Sequence, residues 1–217
     1  MNKLEIKNLK YSYIDGSKKN QVLKDINITF ESGKMYSIIG ESGSGKTTLI
    51  SLISGLDKIQ EGDILYNNQS IKKIGNNNFR LHYVNIVFQS YNLINYMTGK
   101  ENVEVGIDFS NKKNTKSAYE YLKDVGIDKE KSNRLVLKLS GGEQQRVAIA
   151  RAIASDVPII VADEPTGNLD EETEIKIMNI FKELTKQGKI VIIVTHSSKV
   201  SAYADCILKI KKGMIIS

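Results

Sequence analysis

One glycine-rich stretch constrains the fold of this chain more than any other feature. Residues 40–47 read Gly-Glu-Ser-Gly-Ser-Gly-Lys-Thr, so a glycine is followed after four residues by Gly-Lys-Thr. The stretch follows the apolar run Met35–Ile39 and precedes a helical pattern over Leu49–Ile53. In a strand, loop and helix of this spacing, backbone amides and the helix N-terminus converge on phosphate oxygens, whereas Lys46 meets the β and γ phosphates and Thr47 ligates Mg²⁺. The alternative is a plain glycine-rich turn before a helix, and the context favours the phosphate loop.

Length and composition exclude several classes of protein. With 217 residues, of which 41% are hydrophobic, the chain can bury a core and is too apolar for a disordered protein. No apolar run approaches the roughly 18 to 20 residues of a membrane-spanning helix, and the N-terminal residues lack the apolar stretch of a signal peptide. One cysteine, Cys206, and two histidines are too few for a Cys- or His-rich metal centre. We therefore expect a cytoplasmic protein whose divalent ion is held by oxygens.

The charge does not indicate a nucleic-acid partner. The net charge of +6 comes mostly from lysines scattered along the chain, and only four of the basic residues are arginines. Nucleic-acid readers often carry clustered arginines in a stripe. We expect a solvated basic surface and no nucleic acid as a partner.

Hydrophobic patterns divide the chain into strand-rich and helix-rich parts. Short alternating or β-branched runs predict strands at Leu4–Leu9, Val22–Phe30, Met35–Ile39, Gly62–Tyr66 and Val84–Phe88. Compact apolar runs predict parallel strands, buried on both faces, at Val157–Ala162, Ile190–Val194 and Cys206–Ile210. Polar helical patterns at Thr115–Val125 and Gly142–Ala154 dominate between them, and Asn76–Asn78 predicts a turn. The result is an α/β fold in which residues 1–89 and 156–217 form a sheet-containing core and residues 90–155 a helical insertion.

Two adjacent acids end one of the buried strands. Asp163 and Glu164 follow the apolar residues 159–162 directly. A buried strand is a rigid platform, so Asp163 can reach the Mg²⁺ shell while Glu164 polarises the attacking water. Alone, the pair could be an ordinary junction between strand and loop. The phosphate loop in the same chain favours the catalytic interpretation. Acids at the end of a buried strand are also costly to bury without partners, and a bound metal ion would be such a partner.

A second glycine-containing segment opens a strong helical run. Residues 139–146 read Leu-Ser-Gly-Gly-Glu-Gln-Gln-Arg and lead into the helical pattern that ends at Ala154. Ser140 is a natural N-cap, and the adjacent Gly141 and Gly142 let backbone amides approach an anion. A capped surface helix would explain Ser140 but not both glycines.

These residues resemble the nucleotide-binding subunit of ABC transporters, whose signature LSGGE or LSGGQ matches Leu139–Glu143. The resemblance covers essentially the whole chain, and its other marks occur in the expected order: Tyr13 ahead of the phosphate loop, Gln89 after a strand, residues 168–170 and His196. It implies the ABC ATPase fold, which is a RecA-like P-loop NTPase core with an antiparallel β subdomain and an inserted helical subdomain.

The same resemblance implies a role for each matching residue. ATP would lie between the phosphate loop of one subunit and the signature of a second, so the functional unit would be a homodimer formed on ATP binding. Phosphates and Mg²⁺ would be held by Ser42, Gly43, Ser44, Gly45, Lys46, Thr47 and Thr48, with Asp163 and Gln89 completing the metal shell. Tyr13 would stack on adenine, Glu164 would be the general base, and His196 would stabilise the γ-phosphate and the water. Ser140, Gly141 and Gly142 would contact the γ-phosphate in trans, and Asp170 would support the dimer interface.

Three of these assignments have alternatives. Tyr11 competes with Tyr13 for the adenine role, since alternation places both on one face of a strand, and spacing to the lysine favours Tyr13. Gln89 taken alone would be a surface residue. His196 taken alone would more often be a strand-end histidine with a satisfied hydrogen bond than a catalytic group.

Residues 163–170, with Gln89 and Asn92-Leu93, look most like the branch of the family that contains the macrolide-exporter, lipoprotein-release and cell-division ATPases. This resemblance implies a membrane permease as partner, a place on the inner face of the membrane, and export of or resistance to peptides or antimicrobials. The alternative is a mechanical regulator of a membrane partner without transport, and a third class acts on DNA or ribosomes. The chain departs from the branch in its short segment between Gln89 and Leu139 and in Ser197, where the family usually has aspartate.

Overall fold

A computed structural model of the chain describes residues 1–16, 18–110 and 116–216. The strands are β1 (Lys3–Asp15), β2 (Lys18–Glu31), β3 (Met35–Ile39), β4 (Glu61–Tyr66), β5 (Gln69–Ser70), β6 (Val84–Val87), β7 (Ile159–Asp163), β8 (Ile190–Val194), β9 (Cys206–Lys211) and β10 (Met214–Ile215). The helices are α1 (Lys46–Ile53), α2 (Ile71–Ile74), α3 (Asn76–His82), α4 (Gly99–Asp108), α5 (Ala118–Asp124), α6 (Lys129–Ser132), α7 (Gly141–Ala154), α8 (Glu171–Lys186) and α9 (Ser198–Ser201), with a 3₁₀ turn at Val136–Lys138.

The strands form two sheets of different character. A four-stranded antiparallel sheet has the order β2-β1-β4-β5, and a six-stranded sheet has the order β10-β9-β3-β8-β7-β6. In the larger sheet all pairs from β9 to β6 are parallel, and only β10 pairs antiparallel. This arrangement agrees with the expected parallel sheet beside an antiparallel one.

The larger sheet separates two hydrophobic clusters. Ile159 and Val161 of β7 pack into the cluster shared with the antiparallel sheet and α1, and Ile160 and Ala162 pack into the cluster shared with α7 and α8. Successive side chains of a strand point to opposite faces, so a strand between two clusters is apolar throughout. The unbroken apolar runs of β7 and β8 have this origin.

Several predicted boundaries need correction. The predicted strand Leu4–Leu9 extends through Asp15, and Val22–Phe30 begins at Lys18, because a long hairpin pairs polar residues that carry no apolar signal. The predicted strand Val157–Ala162 begins at Ile159, after Pro158, which has no N–H to donate to a ladder. The predicted turn at Asn76–Asn78 is wrong: these residues form the first turn of α3, which Gly75 opens with a φ of 85°.

The helix-rich region agrees with the expectation in character. Helices α4, α5, α6 and α7 all fall within residues 90–155. The predicted helix Thr115–Val125 corresponds to α5, Ala118–Asp124, and Thr115 itself lies outside the described residues. The predicted helix Gly142–Ala154 begins one residue earlier, at Gly141. The division into a core and an inserted helical unit at residues 90 and 155 stays a prediction.

Candidate active site

Neighbouring parallel strands bring most of the predicted site residues to one edge of the larger sheet. The order β3-β8-β7-β6 places the carboxyl ends of four strands side by side. The phosphate loop, residues 40–47, follows β3, His196 follows β8, Glu164 follows β7, and Gln89 follows β6. In open parallel sheets, ligands bind outside this carboxyl edge.

The glycines of the phosphate loop are required by close packing of its backbone. A side-chain carbon at Gly40 would overlap the carbonyl oxygen of Ile210 on β9. At Gly45, where φ is 109°, such a carbon would lie 2.9 Å from Leu23 Cδ2. Gly43 has a φ of 75° and open space around it. Gly40 and Gly45 therefore allow the loop to pack against β9 and β2, and Gly43 allows the left-handed backbone conformation on the exposed side of the loop.

The N-terminus of α1 is free of any side chain that would compete with an anion. Gly45 is its N-cap, there is no side-chain cap, and the first turn holds no acidic residue. Lys46 Nζ donates to the carbonyl oxygens of Gly40 at 2.7 Å and Glu41 at 2.9 Å. The Ser44 hydroxyl is buried and has no hydrogen-bond partner among the described residues. A phosphate would meet the helix dipole, free amides and the lysine at this place.

Tyr13 lies close to the start of α1. Its hydroxyl is 3.3 Å from Thr48 Oγ1, and 48% of the residue is exposed. Tyr11 lies edge-on to Tyr13 with ring centroids 5.2 Å apart, but it packs against the buried cluster. Of the two tyrosines, Tyr13 offers the freer ring to a flat ligand beside the phosphate loop.

Glu164 is tied to the end of the neighbouring strand β8. Its Oε1 accepts a hydrogen bond from the His196 backbone N–H at 3.0 Å and lies 2.8 Å from His196 Nδ1. Its Oε2 accepts from the Thr195 hydroxyl at 3.1 Å. The backbone of Glu164 has a φ of 48°, which is costly for a non-glycine residue and is typical of strained functional sites. The rest of the histidine side chain is open to solvent, with 79% of its surface exposed.

Asp163 sits in an electrostatically unfavourable place. Burial raises the pKa of its carboxyl group, and the negative charge of Glu164 adds to the rise, whereas Lys46 partly offsets it. A bound cation would stabilise the ionised form of a carboxylate in this setting. Together with the exposed Thr47 hydroxyl, it offers the oxygen ligands that Mg²⁺ prefers, so the residues at this edge fit the predicted ion.

The signature residues form the N-terminus of α7 in a capping box. The Ser140 hydroxyl accepts from the Glu143 N–H at 3.3 Å, and Glu143 Oε2 accepts from the Ser140 N–H at 2.8 Å. Lys131 lies 2.9 Å from Glu143 Oε1. The hydrogen bond from Ser140 lowers the pKa of the Glu143 carboxyl group. The N–H groups of Gly141 and Gly142 lie in the first turn, where an α-helix has no internal acceptor for them.

Residues 164–170, the Asn168 loop, run beside this helix. A side-chain carbon at Gly142 would lie 3.2 Å from the Asn168 carbonyl oxygen and 3.3 Å from Leu169 Cδ2, so a larger residue would push the loop outward by a few tenths of an ångström. Asp170 ends the loop as the N-cap of α8, where its two carboxylate oxygens accept from the Thr173 N–H at 3.0 Å and hydroxyl at 2.8 Å. These hydrogen bonds lower the pKa of Asp170.

The structure thus places the predicted residues in two groups. The phosphate loop, Asp163, Glu164 and His196 gather at the sheet edge, whereas residues 140–142 open α7. Within the described ranges no hydrogen bond joins the phosphate loop to residues 140–142. Gln89 is exposed after β6 and Asp170 is exposed at the start of α8.

Sequence reasoning missed two residues that the geometry brings to the site. Thr195 binds Glu164 through its hydroxyl, and its position directly before His196 was the available signal. Tyr91 follows Gln89 by two residues, and its hydroxyl accepts a hydrogen bond from Asn168 Nδ2 at 2.8 Å. No pattern in the sequence indicates this long-range contact.

Comparisons with known proteins identify the family. Residues 23–167 match the family described as ABC transporter. The chain is 46% identical over 217 residues to YclH, an uncharacterized ABC transporter ATP-binding protein of Bacillus subtilis, covering 98% of this chain and 95% of that protein. It is 36% identical over 220 residues to the macrolide export ATP-binding/permease protein MacB of Pasteurella multocida, covering 99% of this chain and 34% of MacB.

A solved structure gives the same result for the fold. The dimeric ATP-binding cassette MJ0796 of Methanocaldococcus jannaschii, in a post-hydrolysis state bound to ADP and Pi, superposes with a TM-score of 0.90 at 36% identity, covering 99% of this chain and 97% of that one. The expected fold and the expected branch are confirmed. None of the helices in the described part of the chain combines the length and apolarity needed to cross a bilayer. The chain therefore belongs to the ABC transporter family, as an ATP-binding cassette with ATPase function.

Proposed function

We propose that this chain works as a head-to-tail homodimer with Mg²⁺ and ATP, on the inner face of a membrane, and that it drives a permease that exports peptides or antimicrobials. The observation that carries the proposal is the division of the candidate site. One chain carries the phosphate loop and the catalytic acids at the sheet edge. The N-terminus of α7, which could bind a second anion, has no hydrogen bond to that loop within the described residues. A second copy supplies the missing half of each site.

Nucleotide binding falls to the sheet edge. Lys46, Thr47 and Thr48, with the amides of residues 42–45, hold the phosphates, and Tyr13 stacks on the adenine. The exposed ring of Tyr13 and its hydroxyl 3.3 Å from Thr48 support this placement. The bare N-terminus of α1 adds a positive dipole end without an acid nearby.

The ion completes this half. Thr47, Asp163 and Gln89 would hold Mg²⁺, and the raised pKa of Asp163 supports a cation beside it. When bound, Mg²⁺ neutralises charge on the β and γ phosphates. Gln89 also links the site to the membrane partner, since it follows β6 and precedes the helix-rich region.

Glu164 acts as the general base. Its carboxylate is held in a fixed orientation by the Thr195 hydroxyl and the His196 N–H, and from there it takes a proton from the attacking water. His196 orients that carboxylate through Nδ1 at 2.8 Å and offers its outer ring nitrogen to the γ-phosphate. The pair therefore couples proton transfer to contact with the nucleotide.

Ser140, Gly141 and Gly142 meet the γ-phosphate of the partner subunit's nucleotide. Ser140 and Gly141 are exposed and Gly142 is half-buried at the N-terminus of α7, where the amides of both glycines have no acceptor inside the helix. Asp170 supports the dimer interface by shaping the start of α8 behind the Asn168 loop. The dimeric state of the MJ0796 cassette supports the assembly.

A groove beside β6 supports the permease as partner. It has a volume of about 310 Å³ and is lined in part by Leu81, Asn85 and Phe109. Phe109, at the end of α4, is 56% exposed, and Leu81 on α3 is 39% exposed. An apolar cytoplasmic segment of a permease would cover both side chains next to the strand that leads to Gln89. The name of MacB, which joins ATP-binding and permease parts in one protein, supports export.

The test of the catalytic proposal is Glu164→Gln. We expect ATP affinity to be kept, phosphate release to fall by at least about 100-fold because a general base is lost, and an ATP-bound dimer to accumulate. Glu172→Gln, on the exposed face of α8, is the matched control and should hydrolyse like the unchanged protein. Hydrolysis by Glu164→Gln at the normal rate would remove Glu164 as the base.

The test of the partner is purification of the Glu164→Gln chain from detergent-solubilised native membranes with Mg²⁺ and ATP, followed by mass spectrometry. We expect a permease with a large extracytoplasmic domain, and we expect Phe109→Asp to abolish its recovery while nucleotide binding persists. Recovery of nucleic acid or ribosomes in place of a permease would overturn the transport proposal. A permease without any substrate-binding region would favour the mechanical regulator instead.

A further inference from the structure

Tyr91 connects three segments of the candidate site. It lies two residues after Gln89, its hydroxyl contacts Asn168 of the Asn168 loop, and it lies against Gly141 at the start of α7. The assigned roles of the surrounding residues do not use it.

The backbone of Tyr91 is held in an unusual conformation. Tyr91 has a φ of 63° and Asn92 a φ of 47°, so two consecutive non-glycine residues occupy the left-handed region. Arg151 of α7 stabilises them by donating to the Asn92 carbonyl oxygen at 2.8 Å and the Tyr91 carbonyl oxygen at 3.2 Å. Burial lowers the pKa of this arginine. The direction of the tyrosine side chain is therefore fixed by the same helix that carries residues 141 and 142.

The hydroxyl of Tyr91 occupies a tight position. Its oxygen accepts from Asn168 Nδ2 at 2.8 Å and would lie 3.1 Å from a side-chain carbon built on Gly141. The Asn168 carbonyl oxygen lies close to Gly142 in turn. The start of α7 and the Asn168 loop are therefore connected twice, by close packing at Gly142 and by Tyr91, whose hydroxyl binds Asn168 beside Gly141 and whose carbonyl oxygen accepts from Arg151 of α7.

We propose that Tyr91 is a positioning residue for ATP hydrolysis: its hydroxyl holds the N-terminus of α7 and the Asn168 loop in one arrangement relative to the segment after Gln89. The inference rests on the proposed function, because both surfaces would face the second subunit. With the hydroxyl in place they reach the partner's nucleotide as one unit. Without it, each has to be ordered separately when the dimer closes.

The test is Tyr91→Phe, which keeps the ring and removes only the hydroxyl. In the Glu164→Gln background with Mg²⁺ and ATP, we expect the dimer dissociation constant from analytical ultracentrifugation to rise about 2- to 10-fold, as for the loss of one hydrogen bond. ATP binding to the monomer should not change. With Glu164 retained, Tyr91→Phe should lower kcat by a similar factor when the protein concentration is below the dimer dissociation constant. The KM for ATP should be unchanged.

Tyr119→Phe is the matched control. Tyr119 donates to Asn133 Oδ1 at 2.9 Å, so this variant removes another hydrogen bond between a tyrosine and an asparagine in the same helix-rich region. Among the described residues, neither Tyr119 nor Asn133 has a hydrogen bond to residues 140–142 or to the Asn168 loop. We expect no change in dimer affinity or kcat. Asn168→Ala should match Tyr91→Phe, and the double variant should be no weaker than either single one, since both remove the same contact.

The outcomes separate the two proposals. A Glu164→Gln dimer whose stability is the same with Tyr91 or phenylalanine overturns the inference about Tyr91 and leaves the proposed function in place. Equal losses in Tyr91→Phe and Tyr119→Phe, or additive losses in the double variant, overturn it as well. If Glu164→Gln forms no dimer with Mg²⁺ and ATP, the proposed assembly fails and the inference fails with it.

Discussion

The two helix N-termini that the proposal assigns to phosphate, those of α1 and α7, are built in opposite ways. Helix α1 begins at Gly45 with no side-chain cap and no acid in its first turn. Helix α7 begins with a complete capping box, in which Ser140 and Glu143 bind each other's backbone, and Glu143 adds a carboxylate to the first turn. One terminus is bare toward an anion, and the other already has a negative group of its own.

The carboxyl groups near the two helix termini also differ in the direction of their pKa shifts. Burial and Glu164 raise the pKa of Asp163, whereas hydrogen bonding lowers the pKa of Glu143. The charge of Asp163 is disfavoured by its surroundings, whereas the charge of Glu143 is stabilised within the same chain by Ser140 and Lys131. The amides of Gly141 and Gly142 still have no acceptor inside their own helix. Under the proposed function, we therefore expect the affinity of a single chain for nucleotide to reside at α1, and α7 to contribute only when a second chain brings a nucleotide to it.

The largest expected effect comes from Lys46→Ala. Removing the cation beside α1 should weaken ATP binding to the isolated chain by roughly 10- to 100-fold, the loss typical of a charge-assisted contact. Isothermal titration with ATP measures it, and Lys186→Ala, at the exposed end of α8, is the control. Unchanged affinity in Lys46→Ala would show that the α1 region does not bind the phosphates.

Asp163→Asn tests whether the charge of the Asp163 carboxylate has an electrostatic cost when no cation is bound. The folded pKa of Asp163 is raised, so the folded chain holds that proton more tightly, and stability falls as pH rises from the unfolded value of 3.8 through the folded one. At pH 7 the cost is fully present, and the variant without nucleotide should melt a few degrees higher than the unchanged chain.

Two further melting measurements complete this test. The advantage of Asp163→Asn should shrink as the pH is lowered through the raised pKa of Asp163 toward 3.8, because protonation removes the charge from its carboxyl group. Mg²⁺ with ATP should reverse the order, because only the unchanged chain then gains a cation ligand. A variant that melts at or below the unchanged chain at pH 7 would contradict the account of Asp163.

The smallest effect is expected for Glu143→Gln. Glutamine keeps the capping box but removes the negative charge from the first turn of α7, so the ATP-bound dimer of Glu164→Gln should tighten by a few-fold. Monomer affinity for ATP should not change. Glu120→Gln, which alters the equivalent capping box of α5, is the control. A weaker dimer would mean that the Glu143 charge, with Lys131, is needed for the interface.

The parts of the fold that follow from local patterns could be predicted from the sequence. The strands β3, β7 and β8 carry long apolar runs because two clusters cover them, and α7 carries its cap in its first residues. The ends of β1 and β2 could not be predicted, since the pairing of Tyr13 with Asn20 depends on the partner strand and on no local apolar signal. The helix α3 was missed because Asn76–Asn78 are turn-forming by composition, and only Gly75 and packing of Phe79 fix them as helical.

The candidate site divides in the same manner. Residues at strand ends, such as Asp163, Glu164 and His196, could be placed together because parallel strands end at one edge. The contacts that orient the site residues could not be predicted. The Thr195 hydroxyl binds Glu164, 31 residues away in the chain, and the Tyr91 hydroxyl binds Asn168, 77 residues away. Such contacts depend on how loops pack in three dimensions.

The contacts of Lys46 have a consequence for the rate of nucleotide exchange. Its ammonium group donates to the carbonyl oxygens of Gly40 and Glu41, and these hydrogen bonds stabilise the loop conformation without a phosphate. Entry of a nucleotide then only exchanges the partners of one flexible side chain, a movement of nanoseconds, and no backbone has to refold. Under the proposed function, we therefore expect the rate of turnover to be set by steps that move larger parts, such as separation of the two subunits and release of products.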